Sequence, residues 1–379
     1  MNKLIIVLAI AVLLVGCGND VITGKVVDRM DVVEIGFVAP FTDFFASAGI
    51  EMQKGALMAL DEINAEGGIS GVQLNVIFED GQCLPKAGVT AVSKLVEVDR
   101  VPVVIGPVCA TSIMPAIPVA QKNGVPLIGT LDVTDDIADA GEFIFATGYS
   151  VEGSASLMAN FAYKNLSARK VAVFYDIDEW GQTLAETFSR DFEALGGEVL
   201  VVVTHNYESS DFRTEILKMM SYEPDAIYAV PLALDGEIVK QAREMGYDVQ
   251  FLGASTFAVK ETLDNAGDAM EGTYFSYELA YRDDNFELNE FVDKYVERFG
   301  EEPPNVLYAV LGYDNVHLVA DVMRKNGVSS EAIVRGLYSV DNYPAISGSM
   351  KFDQNGIAVR VPVINSVRNG EFEQIEFEI

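Results

Sequence analysis

The residues best suited to chemistry are few and widely spaced. Cys83 and Cys109 lie 26 positions apart, and the second opens the stretch CATS, with Ala110, Thr111 and Ser112 directly behind it. A thiol there could act as a nucleophile, as a metal ligand or as a brace for a binding loop. Nucleophilic catalysis needs a base within hydrogen-bond reach, and the chain holds only 2 histidines. His205 follows the apolar run EVLVVVT, and His317 sits in an apolar helical stretch, where a packed core histidine is expected. No HExxH or CxxC spacing and no GxGxxG or P-loop motif occurs, so neither a metal centre nor a nucleotide cradle is indicated. The expectation is a protein with no catalytic residues, no metal and no cofactor.

The role of the cysteines depends on the compartment. The chain opens with Lys3 and then 12 apolar residues from Leu4 to Val15. That run is too short for a bilayer core, which needs about 20 residues, and it reads as a secretion signal over residues 1–16. Leu14, Val15, Gly16 and Cys17 resemble a bacterial lipoprotein box. The resemblance implies lipid on Cys17, a tether over 17–30, and a protein held to the membrane in the periplasm or at the cell surface. Disulfides persist outside the cytoplasm, so the balance for Cys83 and Cys109 moves towards a brace. Closing such a loop would contribute roughly 3 to 4 kcal/mol on chain-entropy grounds.

Composition narrows the partners. With 26 Lys plus Arg against 57 Asp plus Glu, the formal net charge is −31. Nucleic-acid binding requires phosphate neutralisation and is excluded as an expectation; a solvated acidic surface is the reading instead. The 379 residues, half of them hydrophobic, provide for two domains at about 150 residues each.

These residues are positioned by alternating elements. From Val32 onward, short β-rich runs (VVEIGFVAP, VQLNVIFED, VPVVIGP, VPLIGT) alternate with helical patterns, the mark of a parallel sheet flanked by helices. The helix before Gly67 and Gly68 places Ala56, Leu57, Leu60 and Ile63 on one face. A second set of the same kind begins near residue 152, with strands at KVAVFYD, EVLVVVT, DAIYAV and VQFLG. Residues 285–338 read as helical, and the tail reads as short strands at SMKFD and VRVPVINSV. No Pro-rich linker separates the sets, which suits a hinge of several crossing segments. Pro115 suits a helix start, whereas Pro118 implies a kink or a late start.

The segments INAEGGISG, FEDGQCLPKAGVTAVSKL, VIGPVCATS, YDIDEWGQTLAETF and KQAREMG resemble the type I periplasmic binding proteins, in the Leu/Ile/Val-binding branch that serves ABC importers. The resemblance spans most of residues 32–370. It implies an α/β fold of two Rossmann-like lobes, parallel sheets flanked by helices, joined by a three-segment hinge. Lobe one would comprise 31–147 plus 278–345, and lobe two 148–277 plus 346–379. It also implies a Cys83–Cys109 disulfide and a monomer that closes over a small carboxylate ligand and delivers it to an ABC permease and ATPase complex.

Carried over residue by residue, the resemblance places ligand contacts at Ala110, Thr111, Ser112, Leu131, Val133 or Thr134, Trp180, Leu232 and Ser255, with Phe44, Phe45 and Tyr149 as further candidates for the cleft wall. Three departures stand out. Ala110 replaces a ligand serine, Leu232 an aromatic residue, and Ser255 the glutamate that pairs with a ligand ammonium. A buried ammonium needs a countercharge, so either Asp43, Asp132 or Asp178 supplies it or the ligand carries no ammonium. The alternative function is a sensor of the same fold that passes closure to a signalling partner; a purely structural surface lipoprotein would have no closing cleft.

Overall fold

The computed structural model describes residues 32–42, 45–131, 137, 140–206, 210–231, 235–258, 260–279, 285–360 and 362–377. Residues 1–31, with the expected signal, tether and lipidation site at Cys17, lie outside them. Two sheets organise the chain. In the first, β1 (Val32–Ala39), β2 (Gln73–Asp80), β3 (Val104–Ile105), β4 (Leu127–Gly129) and β5 (Ile144–Ala146) run parallel in the order β2-β1-β3-β4-β5. Between them come α1 (Ala46–Ala65), α2 (Pro85–Ser93) and α3 (Ala110–Asn123).

The second set holds α4 (Val151–Lys164), β6 (Lys170–Asp176), α5 (Glu179–Ala194), β7 (Glu198–His205), α6 (Arg213–Met220), β8 (Ala226–Val230), α7 (Asp235–Glu244), β9 (Gln250–Gly253), α8 (Lys260–Ala266) and β10 (Tyr274–Tyr277). Then follow α9 (Phe286–Phe299), α10 (Val306–Asn326) and α11 (Ser330–Tyr338), and finally β11 (Val363–Arg368) and β12 (Glu371–Ile375). The second sheet is ordered β12-β11-β10-β9-β8-β6-β7, with β11 and β12 antiparallel additions at one edge.

Strand alternation assigns the core. On β1, Val33, Ile35 and Phe37 face a cluster shared with Met52, Ala56 and Val316, whereas Val38 faces Val92, Leu95, Ile113 and Ile117 on the opposite side. On β6, Val171 and Val173 join Phe188 and Met158, while Ala172 and Phe174 join Phe212 and Val239. Both sheets are therefore covered on both faces, as parallel sheets require. Among the described residues no helix is long and apolar enough to cross a membrane.

Three details differ from the sequence reading. First, α1 is rotated: Met52, Gly55, Ala56, Ala59 and Ile63 are buried, while Leu57 and Leu60 are half-exposed. The small residues win because α10 presses backbone to backbone at Gly55. Second, α3 starts at Ala110 and runs through both Pro115 and Pro118. Third, residues 343–358 stay with the first sheet: Tyr343 pairs with Met350, Phe352 with Ala358 and Ile357 with Ala146. Phe352 also sets its ring edge-on to Phe145 at 5.5 Å. The last passage between sheets falls just before β11, later than the expected change at 345.

Candidate functional site

Both sheets have the same internal order. Taking β6 as first, β7-β6-β8-β9-β10 repeats β2-β1-β3-β4-β5. In such sheets the chain turns opposite ways from the first and third strands, which opens a crevice at their carboxyl ends. The segments after β1 and β3 flank that point in the first sheet, and those after β6 and β8 flank it in the second. The Ala110–Ser112 segment and Trp180 follow strands at these two crevices, and Leu131, Tyr149 and Ser255 follow the adjoining strands β4, β5 and β9.

The first crevice is braced from within. Gly106 has φ of +86°, and a Cβ there would sit 2.1 Å from the Val38 carbonyl oxygen, so only glycine lets β1 and β3 end this close. Cys83 and Cys109 are joined as a disulfide, Cα to Cα 5.3 Å. Beside it, Asp80 accepts hydrogen bonds from Phe41 N–H (2.9 Å), Gln82 N–H (3.1 Å) and the Thr42 hydroxyl (2.6 Å). Burial pushes the Asp80 carboxyl up, but these donors outweigh it and hold it below the ordinary carboxylate range.

The hydroxyls behind Cys109 donate inward, Thr111 to the Cys83 carbonyl (2.7 Å) and Ser112 to the Cys109 carbonyl (2.9 Å). The Cys109 carbonyl also receives the Ser112 and Ile113 N–H groups. The N–H groups of Ala110 and Thr111 precede these bonds, in the first turn of α3, where donors are free for an anion.

The second feature is a polar node where the connecting segments meet. Gly148 lies so near the β4 loop that a Cβ would fall 1.3 Å from the Leu131 carbonyl oxygen. Tyr149 is 4 % exposed. Its hydroxyl donates to the Glu278 carbonyl (3.0 Å) or the Ser347 carbonyl and accepts from Arg360 Nη1 (3.2 Å). Burial pushes the Tyr149 hydroxyl pKa up. The Arg360 guanidinium lies 5.0 Å from the centre of the Tyr149 ring, a cation–π distance. Arg360 Nη1 also donates to the Ser347 hydroxyl at 2.7 Å. Asp314 clamps the same loop, accepting from Ile346 N–H (3.1 Å), Ser347 N–H (2.9 Å) and the Ser347 hydroxyl (2.5 Å). Residues from 147–150, from 278 and from 346–360 thus share one knot.

In the second crevice Asp178 caps α5, its Oδ1 accepting from Gly181 N–H at 2.8 Å. Its Oδ2 is buried without a partner among the described residues. Burial, with Asp176 nearby, pushes this carboxyl up. Trp180 is half-buried and packs in part on the core of the second sheet. Ser255 opens a 3-10 turn (Ser255–Ala258) and is half-buried. Phe45 sets its ring edge-on to Tyr308 at 5.6 Å. Asp43, Phe44, Asp132, Val133, Thr134 and Leu232 lie outside the described residues.

His205 is a packed core histidine, its ring 4.7 Å from that of Phe212 and 6.0 Å from that of Phe174, whereas His317 is not fully buried. His205 is buried with Nδ1 3.1 Å from Asp176 Oδ1. His317 is partly exposed, packed on Tyr313 with ring centres 4.4 Å apart, and lies 3.4 Å from the Glu62 carboxylate. Sequence reasoning missed Asp80, Asp314 and Arg360. Asp80 had a local signal, its position at the end of an alternating strand just before a Gly; the other two had none.

This geometry, two doubly wound lobes with crevices at strand ends and a three-segment connection, defines a type I solute-binding fold. The sequence profile of the periplasmic binding protein family matches residues 32–364, and the chain belongs to that family. A leucine-, isoleucine-, valine-, threonine- and alanine-binding protein of Pseudomonas aeruginosa is 26 % identical over 328 residues, 86 % of this chain and 87 % of that one. Among solved structures, the branched-chain amino acid transporter substrate-binding protein of Streptococcus pneumoniae, in complex with isoleucine, superposes with a TM-score of 0.82 at 27 % identity, covering 91 % of this chain and 99 % of that one. A solute-binding protein of an ABC transporter from Rhodopseudomonas palustris, in complex with 3,4-dihydroxybenzoic acid, gives 0.80 at 25 % identity, covering 92 % and 96 %.

Proposed function

We propose that this protein is the extracytoplasmic receptor of an ABC importer, that its two lobes close over a small carboxylate-bearing solute, and that it binds without transforming it. The observation that carries the solute class is the first turn of α3, braced by the disulfide and by Thr111, with the Ala110 and Thr111 N–H groups ahead of the first helical bonds. A carboxylate is the group such a turn receives best. Relatives that bind branched-chain amino acids and one that binds an aromatic acid support the same class.

At the opposite end of the solute, Ser255 offers no charge. Asp178, with one carboxylate oxygen unpartnered, is the candidate for pairing with an ammonium. Trp180 supplies an apolar wall and the loop at Leu131 a backbone carbonyl, with Tyr149 at the crossing; Val133 or Thr134 and Leu232 complete the proposed contacts. The proposed lobes are 31–147 with 278–358, and 148–277 with the remainder. A lipid on Cys17, after removal of residues 1–16, anchors a monomer that meets the permease and ATPase complex.

The test is thermal stabilisation against branched-chain amino acids, their deaminated acids and aromatic carboxylates. A ligand at 100 times its Kd stabilises by about 2.7 kcal/mol, a visible shift. A shift with amino acids supports Asp178 as the ammonium partner. A shift with amine-free acids alone makes Ser255 the selective position. No shift with any of them overturns the carboxylate reading.

A further inference from the structure

We propose that Arg360 reads the carboxylate of the solute through its Nε/Nη2 edge, an inference that rests on the carboxylate reading above. The guanidinium is divided in two. Nη1 is committed, to the Ser347 hydroxyl at 2.7 Å, the Ser347 carbonyl at 3.3 Å and the Tyr149 hydroxyl at 3.2 Å. Nε and Nη2 are buried and have no acceptor among the described residues. These two nitrogens form one edge of the planar group, the edge that takes both oxygens of a carboxylate in parallel. Buried donors without acceptors are costly, and Arg360 is the one cation among the described residues that carries them.

Its place in the fold matches that role. Arg360 lies over the ring of Tyr149, and the neighbouring Gly148 touches the carbonyl of Leu131, in the β4 loop. One residue earlier in that loop, Thr130 is 1 % exposed, and its hydroxyl too has no partner among the described residues. Meanwhile the Thr111 and Ser112 hydroxyls donate to carbonyls, and Ala110 has none to give. A carboxylate closed away from water at this crossing needs a countercharge. In a chain with a net charge of −31, Arg360 supplies it. Because Nη1 holds Ser347 and Tyr149 meanwhile, the same side chain links the solute to the segments that must move for closure.

The experiment titrates the full chain calorimetrically with isoleucine, benzoate and 3,4-dihydroxybenzoate, and follows the corresponding neutral amide of whichever acid binds by competition. Arg360→Gln should weaken the acid by about 30-fold or more, the lower range for removing one partner of a buried charge pair. It should weaken the amide by less than about 3-fold, judged by double-cycle logic. Arg360→Lys keeps the charge but loses the fork; it should weaken the acid by roughly 10-fold, and it carries the test if the Gln variant does not fold. Tyr149→Phe should leave the acid-to-amide ratio unchanged. Equal losses for acid and amide would make Arg360 a positioning residue of the hinge and overturn the proposal. Unchanged acid binding would mean that water satisfies the edge, and would overturn it as well. If the natural protein binds none of the three acids, the carboxylate reading has failed and this inference with it, a failure visible before any variant is made.

Discussion

At the residue scale, the groups that shape the site are mostly committed to holding loops. Asp80 is the clearest case. Its folded-state pKa is lowered, so it binds fewer protons folded than unfolded near pH 4, and stability rises with pH there. Its contribution is present above the unfolded value of about 3.9 and is lost as the pH falls through the folded value. Asp80→Asn should lower stability at pH 7 by about 1 kcal/mol and flatten the acid limb of a urea-midpoint profile below pH 4. An acid limb as steep as that of the natural protein would remove Asp80 as its cause. Asp80 was half-legible in the sequence, since it ends an alternating strand beside a cysteine. The node of Tyr149, Ser347 and Arg360 was not, because its members stand 198 and 211 positions apart and no local period joins them.

At the element scale, the close packing of α1 on α10 is decided by glycine. A Cβ on Gly55 would lie 1.8 Å from the Ala309 carbonyl oxygen, and one on Gly312 would lie 2.0 Å from that of Met52. The helices therefore meet backbone to backbone at two reciprocal points. Alanine is preferred to glycine inside helices by about 1 kcal/mol. Gly55→Ala should nonetheless destabilise by about 2 kcal/mol or more, because the contact is with main chain that cannot rotate away. Chemical denaturation measures this, and a stabilised variant would show that the helices can separate at no cost. The same packing turns the buried face of α1 by part of a turn from the one its leucines predict. Leu57 and Leu60 had the right period, but the seat facing α10 admits only small side chains. In α3 the two prolines were legible and their effect was not: loss of single N–H groups leaves a helix standing when its buried face, with Ile113, Ala116, Ile117 and Ala120, is packed on β-strands and α2.

At the scale of the whole molecule, the β–α alternation predicts two parallel sheets flanked by helices, but the short β5 and β10 leave too little pattern to be read as strands. The late return of the chain is not legible in the sequence, because residues 343–358 are held by single bridges at Tyr343, Phe352 and Ile357, which leave no alternating pattern long enough to read. The β12 strand is missed although Glu371, Phe372 and Glu373 alternate, because only Phe372 and Ile375 of it are apolar and neither is fully buried. On the proposed function, the lobes move relative to one another about the knot of Tyr149, Glu278, Ser347 and Arg360, a hinge of the kind that absorbs closure in two-lobed receptors. The most direct measurement is small-angle scattering of the soluble chain beginning at Gly18, without ligand and with the panel acid that gives the largest thermal shift at saturation. The radius of gyration should fall on saturation, as two lobes close on the solute. A radius unchanged at full occupancy would contradict closure and leave a fold that binds without signalling to an importer.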